Sequence, residues 1–252
     1  MHNVSIKVKN LIKEYEINVL DHKSFKYDLI NFFNLNNFFK INQIRNNKII
    51  ALNNLNFEIN KGDIVALIGE NGAGKSTFIK ILSSITEPTS GEIEYDGKLL
   101  ALLQVNAGLA GDCTARENIY FLSAMHGFTK NQIDQKINDI LEFAEIEKFD
   151  ETPIKKFSGG MTTRLVFSTI LNFKPDILIA DEILANSDDN FKIKCIEKLK
   201  SLNEDGTTIL FVSHEQELIK KLCNYGILFE KGIATQKIDI DECYRRYTKN
   251  LK

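Results

Sequence analysis

Gly69-Glu70-Asn71-Gly72-Ala73-Gly74-Lys75-Ser76-Thr77 decides how this chain is read. The nonapeptide satisfies G-x-x-x-x-G-K-[ST], and its surroundings suit it: an apolar run, Asp63 to Ile68, precedes it and a helical pattern, Phe78, Ile79, Ile81 and Leu82, follows. Glycines let successive backbone N–H groups converge on phosphate oxygens, and the helix N-terminus adds a dipole favourable to anions. Lys75 is placed to reach β- and γ-phosphates, and the Ser76 hydroxyl to ligate Mg²⁺. The alternative is a glycine-rich turn without a ligand. The loop says nucleotide, but not which machine.

Outward from this loop, short apolar runs alternate with helical patterns, which predicts an α/β fold around a mainly parallel sheet. Further strands are expected over Asp176 to Ala180 and Thr207 to Val212, with helices starting near Gly74, Ser187 and His214. Val4 to Val8 and Leu52 to Ile59 read as half-exposed strands, since Leu55, Phe57 and Ile59 alternate with polar neighbours. An antiparallel β subdomain is expected there. Residues 106–164 read as an inserted helical subdomain. Thr114-Ala115-Arg116-Glu117 is a capping box, and a second helix is predicted from Lys130 to Ala144 with Ile133, Ile137, Ile140, Leu141 and Ala144 on one face. The nucleotide-binding α/β core then takes residues 1–105 and 165–252. Residues 21–50 stand as an N-terminal insertion in an Asn- and Phe-rich stretch, where Phe25, Leu29, Phe32 and Phe33 trace one face of a helix.

Three further segments choose among proteins with such a loop. Ile177-Leu178-Ile179-Ala180-Asp181-Glu182 is an apolar strand ending in two acids. Asp181 can hold Mg²⁺ through water, opposite Ser76, and Glu182 can polarise an attacking water; paired acids can also simply cap the next helix. Phe157-Ser158-Gly159-Gly160-Met161 opens a helical run, a second anion-binding terminus that one chain needs only if it serves a nucleotide held by another copy. His214 closes the run Phe211-Val212-Ser213 and reads as a γ-phosphate contact or as a helix cap.

Composition bounds the rest. The 252 residues are 43% hydrophobic and 26% charged, with a formal net charge of −2, so no strongly basic footprint for nucleic acid is present. Apolar runs fall short of the roughly 20 residues of a membrane span, and Met1 to Tyr15 has no signal-peptide core. Cys113, Cys195, Cys223 and Cys243 are scattered without metal-ligand spacing and are expected as reduced thiols of a cytosolic, soluble chain.

The ordered set GENGAGKST, Gln104, FSGGM, ILIADE and His214 resembles the ATP-binding cassette (ABC) ATPases over nearly the whole chain. That resemblance implies a head-to-tail homodimer that sandwiches two ATP molecules. It implies that Gln104 joins the core to the helical subdomain and senses Mg²⁺ and the γ-phosphate, and that Ser158, Gly159 and Gly160 contact the partner's ATP. Tyr15 is the candidate for the aromatic that stacks on adenine. More narrowly, LLQVNAGLAGDCTARENIYFLSAMHGF, KKFSGGMTTRLVFS and DEILANSDDNFKIKC look like the ATPase subunit of bacterial exporters of O-antigen, capsule or teichoic acid. Gln104 stands where that subfamily often has Glu, no Pro lies between Gly108 and Thr114, and in Asn186-Ser187-Asp188 only Asp188 matches the dimer-interface loop. With the sequence ending near Lys252, the extra C-terminal carbohydrate-binding domain of some O-antigen exporters is not expected. The implied function is ATP hydrolysis that powers export of a lipid-linked polysaccharide through a separate membrane permease. The alternatives are another cargo (drug, lipid or protein) or a non-transport regulatory cassette.

Overall fold

A computed structural model describes residues 3–17, 47–102, 108–181, 188–212 and 215–250, with only the backbone of Ile17, Asn47, Asp181 and Asn250. Five apolar runs form parallel strands: β3 (Ile64–Ile68), β5 (Leu99–Leu102), β6 (Ile177–Asp181), β7 (Thr208–Val212) and β8 (Tyr225–Glu230). They lie side by side as β8-β3-β7-β6-β5, and the short strands β9 (Ile233–Ala234) and β10 (Ile238–Asp239) add antiparallel to β8. The runs are apolar through their centres because the sheet is covered on both faces. In β3, Ile64, Ala66 and Ile68 enter one core while Val65 and Leu67 enter another.

The second core lies between this sheet and a three-stranded antiparallel sheet ordered β2-β1-β4, made of β1 (Val4–Ile17), β2 (Asn47–Asn60) and β4 (Ser90–Tyr95). Helix α1 (Lys75–Leu82) is packed inside that core. Phe57 of β2, Phe78 of α1 and Phe229 of β8 form an aromatic triangle, with centroids 5.3, 5.7 and 6.4 Å apart, that ties the two sheets through the helix. Strands β1 and β2 are both longer than their alternating stretches predict. Beyond those stretches the ladder continues through exposed pairs such as Tyr15 with Ile49 and Glu16 with Lys48, and Lys48 also reaches Glu14 diagonally at 2.9 Å, because backbone pairing needs no apolar face. Residues 47–50 of the 21–50 insertion are therefore part of β2; Phe25, Leu29, Phe32 and Phe33 lie outside the described residues.

The first core lies under a helical layer. Helix α2 (Ala115–Met125) starts at the expected capping box: the Thr114 hydroxyl accepts from the Glu117 N–H at 3.2 Å, and Glu117 Oε2 accepts from the Thr114 N–H at 2.8 Å. The single helix expected from Lys130 to Ala144 is two, α3 (Lys130–Asp134) and α4 (Ile137–Ala144). At the junction the Lys136 N–H bonds Ile133 O at 2.9 Å, a tighter turn that still buries all five expected apolar residues. Helix α5 (Gly159–Leu171) runs through position 164, so the helical segment and the core share a helix. Helices α6 (Asp189–Glu204), α7 (Gln216–Leu222) and α8 (Ile240–Asn250) complete the order.

Candidate functional site

All five parallel strands point one way, so the loops that leave their carboxyl ends share one edge. The loop after β3 opens there, and the register of Asp181 against Val212 brings the end of β6 to the same edge. A cleft of about 200 Å³ lies along the loop, lined by Asn71, Gly72, Ala73, Gly74, Lys75, Ser76 and Thr77 together with Ala51 and Val212.

Glycine is demanded at two of its positions. A Cβ on Gly69, at φ +153°, would stand 2.3 Å from Phe229 O; on Gly74, at φ +112°, it would stand 2.8 Å from Ala51 O. Gly74 is also the N-cap of α1 and offers no capping side chain, which leaves the first-turn N–H groups for an anion. Lys75 is buried, and its Nζ donates to Gly69 O at 2.6 Å and Glu70 O at 3.0 Å. The ammonium thus bridges the loop that it follows. Ser76 is exposed and Thr77 half-buried on the first turn of α1.

Sequence reasoning missed what braces this loop from outside. The Gly232 N–H donates to Ala73 O at 3.0 Å, and Gly232 O accepts from the Asn53 N–H at 2.7 Å, so the β8–β9 turn clamps the loop to β2. Lys231 and Gly232, both at positive φ, signal a tight turn. Only the fold shows what that turn touches.

Ser158, Gly159 and Gly160 stand apart. None of them lines the cleft; they open α5 on the exposed surface of the helical layer. The Ser158 Oγ accepts from the Met161 N–H at 3.2 Å. Among the described residues a Cβ on Gly159 would meet no atom within 4 Å, and one on Gly160 only Ser158 Oγ at 3.9 Å, so none of them requires glycine there. Tyr15 is 39% exposed on β1, paired with Ile49, and its ring lies 5.0 Å from Lys13 Nζ. It does not line the cleft. Gln104, Glu182 and His214 lie outside the described residues, as does the side chain of Asp181.

With the cradle and the separate glycine helix start in view, comparison with known proteins is decisive. A family model described as ABC transporter matches residues 52–185. The chain belongs to the ABC transporter family. This cassette is 35% identical over 249 residues to the teichoic acids export ATP-binding protein TagH of Staphylococcus saprophyticus, covering 99% of this chain and 90% of that one. It is 38% identical over 187 residues to the O-antigen export system ATP-binding protein RfbB of Klebsiella pneumoniae, covering 74% and 76%. Its fold matches a dimeric ATP-binding cassette solved with ADP and Pi, with a TM-score of 0.72 and 24% identity over 93% of this chain and 98% of that one.

The donor set suits a hard cation brought in with phosphates. Among the described residues no cluster of three His, Cys, Asp or Glu side chains forms a metal cage, while the Ser76 hydroxyl lines the cleft. The cysteines agree with the thiol reading: Cys195, Cys223 and Cys243 are buried, and burial pushes each up to about 12. Among the described residues no helix is long and apolar enough to cross a membrane.

Proposed function

We propose that this chain is the ATP-binding and ATP-hydrolysing subunit of an ABC exporter that powers transport of a lipid-linked polysaccharide, of O-antigen, capsular or teichoic-acid type, across the cytoplasmic membrane. It works as a head-to-tail homodimer on the inner face of that membrane, held there by a separate integral membrane permease. One observation carries the ATPase half: a cradle built for phosphate, and a Ser158-Gly159-Gly160 helix start that is open to a second copy and has no packing reason for its glycines. Similarity along almost the full length to a teichoic acids export ATP-binding protein supports the cargo class.

In this mechanism the backbone of Gly69, Glu70, Asn71, Gly72, Ala73, Gly74 and Thr77 wraps the phosphates, and Lys75 exchanges its bonds to Gly69 O and Glu70 O for phosphate oxygens. Ser76 and Asp181, with Gln104, would hold Mg²⁺, which would supply charge neutralisation for the phosphate groups. Tyr15 offers a stacking face for adenine. Closure of the dimer is favoured by ATP because Ser158, Gly159 and Gly160 of one copy gain contacts with the other's nucleotide only in the closed state. Glu182 then orients and activates water while His214 and Lys75 steady the γ-phosphate. Loss of that phosphate removes the bridge and reopens the pair.

The test is to capture the Glu182→Gln variant from membranes in ATP. Recovery of a polytopic membrane protein, and loss of lipid-linked glycan export in cells carrying the variant, are the expected results. Recovery with ribosomes or nucleic acid overturns the transport reading. Recovery of a permease with glycan export intact moves the cargo to a drug, lipid or protein. Lys75→Ala is expected to lose ATP binding; retained affinity overturns the assignment of the cradle.

A further inference from the structure

Two cavities flank the phosphate loop. Asn71, Gly72 and Ala73 line the phosphate cleft, and the same three residues line a second cavity of about 210 Å³, so one stretch of backbone walls both. Leu228 of β8 and Tyr247 of α8 also line that second cavity. Residues 70–72 are exposed, and among the described residues a Cβ on Gly72, at φ +81°, would meet no atom within 4 Å. The fixed points of the loop lie at its ends, with Gly69 tight against Phe229 O and Ala73 O bonded to the Gly232 N–H at 3.0 Å. Between them Glu70 O accepts from Lys75 Nζ at 3.0 Å, a bond that is given up once the ammonium turns to phosphate.

Helix α8 is seated on β8 so that its last turn reaches this cavity. At its start the Ile240 N–H donates to Asn224 O at 3.1 Å, and Asp239 Oδ1 accepts from the Asp241 N–H at 2.9 Å and the Glu242 N–H at 3.3 Å. Cys243 then lies so near the strand that a Cβ on Gly226 would stand 2.8 Å from its Sγ. Ile240, Cys243 and Tyr244 are buried on one face of the helix, and Tyr247 continues that face, half-buried against the first core. Tyr247 lies seven residues beyond Ile240, about 10 Å along the helix axis. Close packing at the first turn therefore decides where the ring stands at the last.

We propose that Tyr247 is a positioning residue whose ring is the stop behind the phosphate loop, keeping residues 70–72 from withdrawing from ATP, so that the seating of α8 sets nucleotide affinity. The proposal rests on the reading of the cradle as the ATP site. A loop that is competent for only a fraction of the time binds nucleotide with its affinity cut by that fraction. Removing the ring enlarges the cavity and lets the loop populate withdrawn positions. Tyr247 does not line the phosphate cleft, so it acts through the loop backbone and not on the reacting phosphate. It therefore governs ATP affinity and not the rate of the bound nucleotide's hydrolysis.

The experiment measures ATP affinity, steady-state hydrolysis and thermal melting for the wild type, Tyr247→Phe, Tyr247→Leu and Tyr247→Ala. The alanine variant is expected to bind ATP about fivefold or more weakly, with kcat at saturating ATP within about twofold of wild type. Tyr247→Phe keeps the ring and is expected to stay within about twofold of wild type in both quantities. Tyr247→Leu keeps an apolar contact with the core but shortens the stop; it is expected to share the loss of affinity, and it decides the matter should the alanine variant not fold. If the wild type binds ATP and the leucine variant keeps its affinity within about twofold, the ring is no stop and the proposal fails alone. An equal loss in Tyr247→Phe, or a fall in kcat with affinity unchanged, overturns it as well. A wild-type chain that binds no ATP overturns the reading of the cradle and this proposal together.

Discussion

Arg164 and Asp188 meet at 2.6 Å, and the same carboxylate caps the helix that follows it, so one aspartate closes both a salt bridge and a helix end. The guanidinium holds the Asp188 carboxyl below the usual carboxylate range, helped by the Phe191 N–H, while Glu145 is held low chiefly by Lys194. The unfolded chain takes up protons at these groups near pH 4, where the folded chain still resists them. Their contribution is therefore present above that range and is lost as pH falls through it toward the lower folded values. Asp188→Asn, which can still cap α6, is expected to flatten the acid limb of melting temperature against pH. An acid limb identical to that of wild type counts against the pairing.

The phosphate loop touches β8 so closely that its first glycine admits no side chain. Gly69→Ala would force a Cβ to 2.3 Å from Phe229 O, which the aromatic triangle beneath holds in place. The expected cost is about 1–3 kcal/mol, read as a lower urea midpoint with an unchanged slope. A midpoint equal to wild type would show that the loop and β8 can separate at no cost.

Gly159 behaves in the opposite way. A carboxylate placed there by Gly159→Asp meets open space in the single chain and favours the helix N-terminus, so stability is expected to hold or to rise by about 0.5 kcal/mol. In the Glu182→Gln background the same carboxylate would face another copy's phosphates, and the ATP-dependent dimer is expected to disappear in sizing. A dimer that survives places the glycine start outside the interface.

Thiol chemistry offers an independent check on packing. Cys113 is half-buried, whereas Cys195, Cys223 and Cys243 are buried and pushed up to about 12. A thiol reagent is expected to modify Cys113 in the native chain and the other three only after unfolding. Because burial raises these values, the neutral thiols favour the folded state fully below the ordinary thiol range near pH 8.5, and that contribution is lost as pH rises toward the folded values. Rapid reaction of Cys195 in the native chain would contradict its burial on the inner face of α6.

Most of the architecture was legible because its signals are local. The run from Ile64 to Ile68, the glycines that follow it and the capping box at Thr114 each depend on neighbours within a few residues, and each stands where its pattern places it. The helix expected from Lys130 to Ala144 failed at Gln135 and Lys136, where periodicity kept its face but the backbone turned. The strands from Val4 and Asn47 outran their alternating stretches because each found its ladder partner in the other.

The candidate site divides along the same line. GENGAGKST and FSGGM declare a phosphate cradle and a second glycine helix start by residue type and spacing, since backbone N–H groups and helix ends make anion sites wherever such sequences fold. Residue order alone could not tell that Gly232 clamps the loop to β2, that the two glycine motifs occupy separate surfaces, or that Glu145, Arg164, Asp188 and Lys194 converge. The contacts of Glu145 with its two cationic partners join residues 19 and 49 positions apart, and they exist only once the helices have packed. Local chemistry was written in the sequence; which distant groups meet at one carboxylate was decided by the packing of Phe191 against Phe143 and Phe167.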